Sequence, residues 1–152
     1  MGEGNMTGLD IVKKYEGCRL KAYPDPATGG KPWTIGWGST RNSQGGEFKR
    51  GDTITQQMAD GLLIRDFNAC KDELRKDKEL AKLSEGALDA LCSLCYNIGV
   101  GAFKRSKCYK AIVAKDWETV CRQWDWFKAN GKFMKGLARR RITELGVFLE
   151  NV

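Results

Sequence analysis

Histidine is absent from this chain, and that absence excludes more chemistry than any other feature of its composition. Without an imidazole there is no Ser-His-Asp or Cys-His nucleophile. The usual catalytic zinc sites, which take His ligands, cannot form either, and no metal or other cofactor is expected. Proline is scarce: only Pro24, Pro26 and Pro32 occur, all in one short stretch. No apolar run approaches the length of a membrane span, so stable membrane insertion is not expected. The opening Met1-Gly2-Glu3-Gly4-Asn5-Met6 is no signal peptide; either the protein starts in a cytoplasm or a leader preceded it. Internal repeats and low-complexity segments are lacking too. What remains readily available for catalysis is carboxylate acid–base chemistry.

The chain has 152 residues, 30 % of them charged and 41 % hydrophobic. That composition suits one soluble globular domain able to bury a core without cross-links. A formal net charge of +7 favours acidic polymers: nucleic acid, an anionic membrane or an anionic cell wall. It also serves general solubility. Of the six cysteines, Cys92 and Cys95 form a C-x-x-C inside an apolar helical pattern. No redox-type βαβ context surrounds the pair and no second C-x-x-C follows, so small core-filling thiols are the simpler reading. A disulfide among the others stays open.

Residues 1 to 6 read as a loose tail. A first helix is expected from Thr7, with Thr7 and Asp10 close to a capping box. Leu9, Val12 and Tyr15 form its apolar stripe, Glu16 lies on its last turn and Gly17 stops it. Leu20–Tyr23 and Trp33–Trp37 read as short strands joined by a Pro- and Gly-rich turn, with a loop or third strand near Phe48. A long helix is expected from about Thr55 to Asp77, with Met58, Leu62, Phe67, Cys70 and Leu74 on one face and Asp66 on the solvated one. A nearly all-apolar helix capped by Ser84 should be central and buried. Shorter helices follow over Ser106–Ala114 and Trp117–Phe127, the latter with Val120, Cys121 and Trp124 inward. A loop at Lys128–Lys135 leads to a last helix, Gly136 to about Leu149, packing through Ile142, Leu145, Val147, Phe148 and Leu149.

The most irregular stretch, residues 15 to 40, holds the candidate chemistry. Hydrolysis of a glycosidic bond needs a proton donor and a second carboxylate that activates water or stabilises positive charge. Glu16 and Asp25 are placed for this on either side of a short strand. The negative end of a helix dipole disfavours a carboxylate at Glu16; Lys13, Lys14, Arg19 and Lys21 favour one, so the balance stays open. Asp25 sits between two prolines in a rigid turn, and Thr34 returns on the second strand with a hydroxyl able to orient a water. A helix-end Glu, a turn-forming Asp and a plain strand Thr are the simpler readings of each residue taken alone.

Taken together, Tyr15-Glu16-Gly17-Cys18-Arg19-Leu20-Lys21-Ala22-Tyr23-Pro24-Asp25 and Trp33-Thr34-Ile35-Gly36-Trp37-Gly38-Ser39-Thr40 closely resemble the phage-type lysozymes, glycoside hydrolase family 24. The family pattern is E-G-x-R-L-x-x-Y-x-D, a turn of variable length, then T-I-G-x-G, and every fixed position is met. Ala90-Leu91-Cys92-Ser93-Leu94-Cys95-Tyr96-Asn97-Ile98-Gly99, followed by Phe103 and Ser106, resembles the family's A-L-x-S-x-x-x-N-x-G segment. Gly136-Leu137-Ala138-Arg139-Arg140-Arg141 with Glu144 is similar to its G-L-x-x-R-R-x-x-E signature. The resemblance runs from about residue 9 to 150.

The resemblance implies an α+β, lysozyme-like fold, mainly α-helical, with a small β-hairpin lobe forming one side of an active-site cleft. A single domain over 1–152 would comprise a small lobe at about 17–54, a connecting helix at about 55–77, and a helical lobe at about 78–152 joined by the N-terminal helix 7–16. It implies an endolysin: an inverting muramidase acting on the β-1,4 bond between N-acetylmuramic acid and N-acetylglucosamine in bacterial peptidoglycan. Glu16 would be the general acid, Asp25 and Thr34 would hold the attacking water, and Tyr96, Asn97 and Ser106 would line the sugar cleft. One of Arg139 to Arg141 would position the acid. A monomer with peptidoglycan as partner and no nucleic acid is expected, held in the host cytoplasm before release to the periplasm or cell wall, or exported if a leader was removed. Two rivals remain: a lytic transglycosylase, which needs the acid but no water-holding pair, and a non-catalytic basic protein that binds cell wall or nucleic acid. An Arg139–Arg141 nucleic-acid patch is weaker than a solvated or ion-paired helix face, and Trp117, Trp124 and Trp126 read as core before sugar-stacking platforms.

Overall fold

The computed structural model describes residues 6–152; residues 1–5 of the expected tail lie outside the described residues. The expected α+β class is met: a mainly helical chain with small antiparallel hairpins. The chain forms two compact units, one of residues 12–68 and one of the N-terminal residues through Ile11 together with residues 69–152. The boundaries fall inside the first helix, α1 (Gly8–Tyr15), and inside the long helix α2 (Gln56–Arg75).

α1 starts on the capping box read from the sequence. The Thr7 amide donates to Asp10 Oδ2 at 3.0 Å and the Asp10 amide to Thr7 Oγ1 at 3.1 Å, so two amides that the helix leaves without partners bond reciprocally. Its fully buried residues are Ile11 and Val12; Leu9 and Tyr15 are only half-buried. The apolar stripe is therefore shifted by a residue from the expected Leu9–Val12–Tyr15 line.

In the unit of residues 12–68, β1 (Arg19–Tyr23) pairs antiparallel with β2 (Thr34–Gly36), with Arg19 opposite Gly36 and Tyr23 opposite Thr34. The expected third strand near Phe48 is reduced to isolated bridges, Trp33 to Phe48 and Arg41 to Glu47. Ala22, Ile35, Phe48 and Leu62 close a small core, with Trp33 and Ile54 against it. Gly36 is required here. Its φ is +64°, and a Cβ at that position would lie 3.3 Å from Ala59 Cβ, so the strand meets the helix backbone closely at a residue without a side chain. Along α2 the buried positions include Ala59, Leu62, Leu63, Phe67 and Leu74. Met58, expected inward, is exposed, because Ala59 takes the place against the hairpin.

In the other unit, Ser84 Oγ accepts from the Ala87 amide at 3.2 Å and opens α3 (Glu85–Ile98), buried along most of its length as expected. α3 packs against the last helix, α7 (Lys135–Glu150). Between them in sequence come α4 (Val100–Lys104), a helix the sequence reading did not expect, α5 (Lys107–Val113) and α6 (Trp117–Gln123). α6 ends before the expected Phe127, and Cys121, expected inward, is exposed while Val120 and Trp124 are buried. The expected loop after it contains a hairpin, β3 (Lys128–Ala129) and β4 (Lys132–Phe133), turning on Asn130-Gly131. Both turn residues have positive φ, 52° and 77°, the geometry a two-residue hairpin prefers and the reason Asn-Gly signals one.

α7 departs most from its expected face. Ile142 and Leu149 are exposed, and the buried residues are Arg140, Arg141, Glu144 and Phe148. The buried carboxylate of Glu144 decides the orientation. It accepts from Arg140 Nε at 3.0 Å, Arg141 Nη2 at 3.2 Å, Ser93 Oγ at 2.7 Å and Trp124 Nε1 at 3.3 Å. Arg140 also donates to the Ser93 carbonyl at 3.0 Å. Charges are kept inside only when paired and hydrogen-bonded, and this cluster ties α7 to the middle of α3.

Candidate active site

β1 links the two candidate carboxylates. Glu16 follows the end of α1, its amide still donating to the Val12 carbonyl at 2.7 Å, so its side chain leaves from the helix terminus where carbonyl dipoles converge. It is half-buried. Its charge is felt at Tyr23: burial raises the Tyr23 phenol above its ordinary value, the Glu16 carboxylate raises it further, and Arg19 opposes. The Arg19 guanidinium lies over the Tyr23 ring, 4.7 Å from the centroid. Tyr23 therefore joins the site, although the sequence reading gave it no role.

Asp25 lies two residues past Tyr23 and is half-buried. Its own turn fixes its backbone. The Asp25 amide donates to the Gly30 carbonyl at 2.9 Å, and its carbonyl accepts from the Gly29 amide at 2.8 Å. Oδ1 accepts from the Ala27 amide at 2.7 Å. Asp25 is thus a turn former and a candidate acid–base group at once. Thr34, half-buried, opens β2 opposite Tyr23. Glu16, Asp25 and Thr34 all belong to the unit of residues 12–68.

The hairpin is held by polar groups of α2 that the sequence reading missed. Trp37 Nε1 donates to Asp60 Oδ1 at 2.8 Å and Gln56 Nε2 to the same oxygen at 3.0 Å. Those two bonds, Trp37 first, lower the Asp60 carboxyl below its ordinary value, with burial opposing and Lys13 assisting. Ser39 Oγ donates to Asp66 Oδ2 at 2.6 Å. Arg65 donates to the Asn42 and Arg41 carbonyls at 2.6 and 2.8 Å and to Asp66 Oδ1 at 2.9 Å. Asp66 was read as solvated; it is an anchor for the hairpin's return. Only the Trp37 indole and the Ser39 hydroxyl hinted at it, since carboxylates on a charged helix look alike in sequence.

Tyr96, Asn97 and Ser106 lie in the other unit. Tyr96 is half-buried and Asn97 exposed at the end of α3, before Gly99 at φ 91°. Ser106 is the N-cap of α5: Oγ accepts from the Tyr109 amide at 3.2 Å and donates to the Phe103 carbonyl at 2.5 Å. Tyr109 OH in turn donates to Asp77 at 2.6 Å. Arg140 and Arg141 are both paired to Glu144, whereas Arg139 is exposed. Trp124 is core, buried against Phe148 with ring centroids 5.2 Å apart, while half-buried Trp117 meets Phe148 edge-on at 6.0 Å.

None of the six cysteines, all among the described residues, forms a disulfide. Cys92 and Cys95 are buried in α3, and half-buried Cys70 reaches the Cys92 carbonyl at 4.0 Å. Hydrogen bonds from the Cys92 and then the Cys95 thiols pull Cys70 down to about 4 against burial. The same contacts, with burial, push Cys92 and Cys95 upward. Among the described residues no group of three or more His, Cys, Asp or Glu is arranged to hold a metal ion, and no helix is long and apolar enough to cross a membrane.

The sequence profile of the family described as "Phage lysozyme" matches residues 13–144. An endolysin of Acyrthosiphon pisum secondary endosymbiont phage 1 is 37 % identical over 146 residues, covering 93 % of this chain and 94 % of that protein. The endolysin of Bacillus phage PZA is 30 % identical over 145 residues, and there this chain spans only 54 % of the relative's length. Among solved structures, the endolysin from Escherichia coli O157:H7 phage FAHEc1 superposes with a TM-score of 0.78 at 30 % identity, covering 99 % of this chain and 97 % of that one. The fold is lysozyme-like.

Proposed function

The chain belongs to the phage lysozyme family, and on that premise we propose that it is an endolysin that degrades bacterial peptidoglycan as an inverting muramidase. The bond cleaved is the β-1,4 link from N-acetylmuramic acid to N-acetylglucosamine. Glu16 gives its proton to the leaving glycosidic oxygen. A water held by Asp25 and Thr34 attacks the anomeric carbon from the opposite face, and Asp25 takes the proton that water loses. The products are two shorter glycan chains, one with a new reducing muramic acid end. Tyr96 and Asn97 contact the sugars from the end of α3, and Ser106 does so with the hydroxyl that also caps α5. The protein acts on the wall after leaving the host cytoplasm, and its net charge of +7 draws it to an anionic envelope.

The observation that carries this reading is the pairing of β1 with β2. It supports the reading because the strand between Glu16 and Asp25 pairs with the strand that Thr34 opens, and all three residues lie in one compact unit and inside the family match. A transglycosylase would need Glu16 but not a water-holding pair. Digestion of purified peptidoglycan followed by analysis of the new chain ends separates the two. Reducing muramic acid ends support the hydrolase; 1,6-anhydro-muramic ends would overturn it. Asp25→Ala sharpens the comparison, because loss of the water-activating base should lower hydrolysis by about 10²–10⁴-fold.

A further inference from the structure

Outside the proposed reaction, the segment after α6 forms a surface for which that chemistry has no use. No acidic residue occurs between Asp125 and Glu144, while Lys128, Lys132 and Lys135 are all exposed. Among these cations stand large apolar side chains in water: Phe133 is 61 % exposed, Met134 45 % and Ile142 68 %. The β3–β4 hairpin presents them in a defined way. Its register sets Lys128 opposite Phe133 and Ala129 opposite Lys132, so an ammonium and a phenyl ring are neighbours on one face. Phe127 supports Phe133 edge-on at 6.2 Å, and the Met134 amide donates to the Phe127 carbonyl at 2.8 Å. Lys135, Arg139 and Ile142 then recur at helical spacing and share one face of α7; all three are exposed.

A dissolved polyanion would reward the lysines alone. Adjacent exposed Phe and Met favour a partner with an apolar layer directly beneath its negative charge. We propose that this hairpin and the adjoining face of α7 dock onto an anionic phospholipid bilayer. Phe133 and Met134 enter the boundary between headgroups and acyl chains, and Lys128, Lys132 and Lys135 lie at the phosphates. A β-hairpin can do this as an interfacial helix does, with apolar groups inserted and cations around them.

The test is sedimentation of the full chain with vesicles of phosphatidylcholine alone, and of phosphatidylcholine mixed with an equal part of phosphatidylglycerol. Binding should require the anionic lipid. Each lysine near such a surface contributes about fivefold in partitioning, so Lys128→Gln, Lys132→Gln and Lys135→Gln together should lower it about a hundredfold. Phe133→Ser should lower it by about tenfold more. A control removes the same charge elsewhere through Lys76→Gln, Lys78→Gln and Lys110→Gln, and should retain most of the binding. The proposal is overturned if the control loses as much as the hairpin triple, since overall charge would then suffice. It is equally overturned if Phe133→Ser has no effect while soluble polyphosphate competes fully, which would mark a polyanion site. Vesicle binding needs no glycosidase activity, so its failure leaves the proposed reaction standing, and the reverse.

Discussion

Replacing Glu144 by Gln should be among the most destabilising single changes that alter shape least. Glu144 is 0 % exposed, Arg140 2 % and Arg141 1 %. Both guanidinium groups pair with this carboxylate: Arg140 Nε at 3.0 Å from Oε2, and Arg141 Nε at 2.8 Å from Oε1. The amide keeps the volume, but its single oxygen can accept from Ser93 or from Trp124 and not from both, and the negative charge is gone. Two buried cations then lose the carboxylate they share. Breaking a buried pair in this way costs about 3–5 kcal/mol. In a chain of this size each kcal/mol shifts Tm by about 2–4 °C, giving a drop of roughly 6–20 °C. Urea unfolding followed by far-UV circular dichroism reads the loss as a lower midpoint at unchanged slope. Glu118→Gln is the internal control. Its pair with Arg122, at 2.8 Å, is exposed, and such i,i+4 pairs contribute only about 0.3–0.5 kcal/mol. If Glu144→Gln costs no more than this control, the buried arginines are compensated by something other than Glu144 and the reasoning fails.

Acid should expose the Asp77 network. Burial opposes ionisation of Asp77, but bonds from Tyr109, the Leu80 amide, Lys104 and the Glu79 amide prevail and lower it from 3.8 to about 2. A depressed folded-state value means its contribution is complete above pH 3.8 and lost as pH falls through about 2; Asp77→Asn should flatten the stability profile in that window, measured by urea unfolding at each pH. Cys70, lowered to about 4, should be alkylated by iodoacetamide at about pH 6, because the thiolate is the nucleophile. Peptide mapping should find no early modification of buried Cys92, Cys95 or Cys108, and an unreactive Cys70 would contradict the thiol cluster. Gly131→Ala, at φ 77°, should destabilise the β3–β4 hairpin by about 1–2 kcal/mol, seen as faster amide exchange at residues 128–133 with little change at α3.

Local rules made much of this fold legible. Thr7 and Ser84 were readable as caps because a hydroxyl there can bond an amide three residues on, and each does so. The strands of the hairpin followed from the Pro- and Gly-rich turn that separates Leu20–Tyr23 from Trp33–Trp37. Family resemblance was readable from the Glu16–Asp25 and Thr34–Gly38 motifs, since few other folds need those residues at that spacing. Long-range choices were not legible. Periodicity placed Ile142 and Leu149 inward on α7, yet the face that turned in carries Arg140, Arg141 and Glu144, because pairing across to Ser93 and Trp124 outweighed apolar burial. Asp66 looked like a solvated helix residue and Asp60 drew no reading, because their partners Ser39 and Trp37 lie far away in sequence. The Asn130-Gly131 hairpin was missed although its turn signal stands in the sequence, because its strands are two residues each.

The central claim is that Glu16 supplies the proton that breaks the glycan. Turnover of purified peptidoglycan by Glu16→Gln, set against wild type with folding verified by circular dichroism, tests it most directly. The amide preserves shape and removes the proton, so the rate should fall by about 10²–10⁴-fold while the thermal melt is nearly unchanged. A folded Glu16→Gln protein that clears peptidoglycan at the wild-type rate would contradict the account.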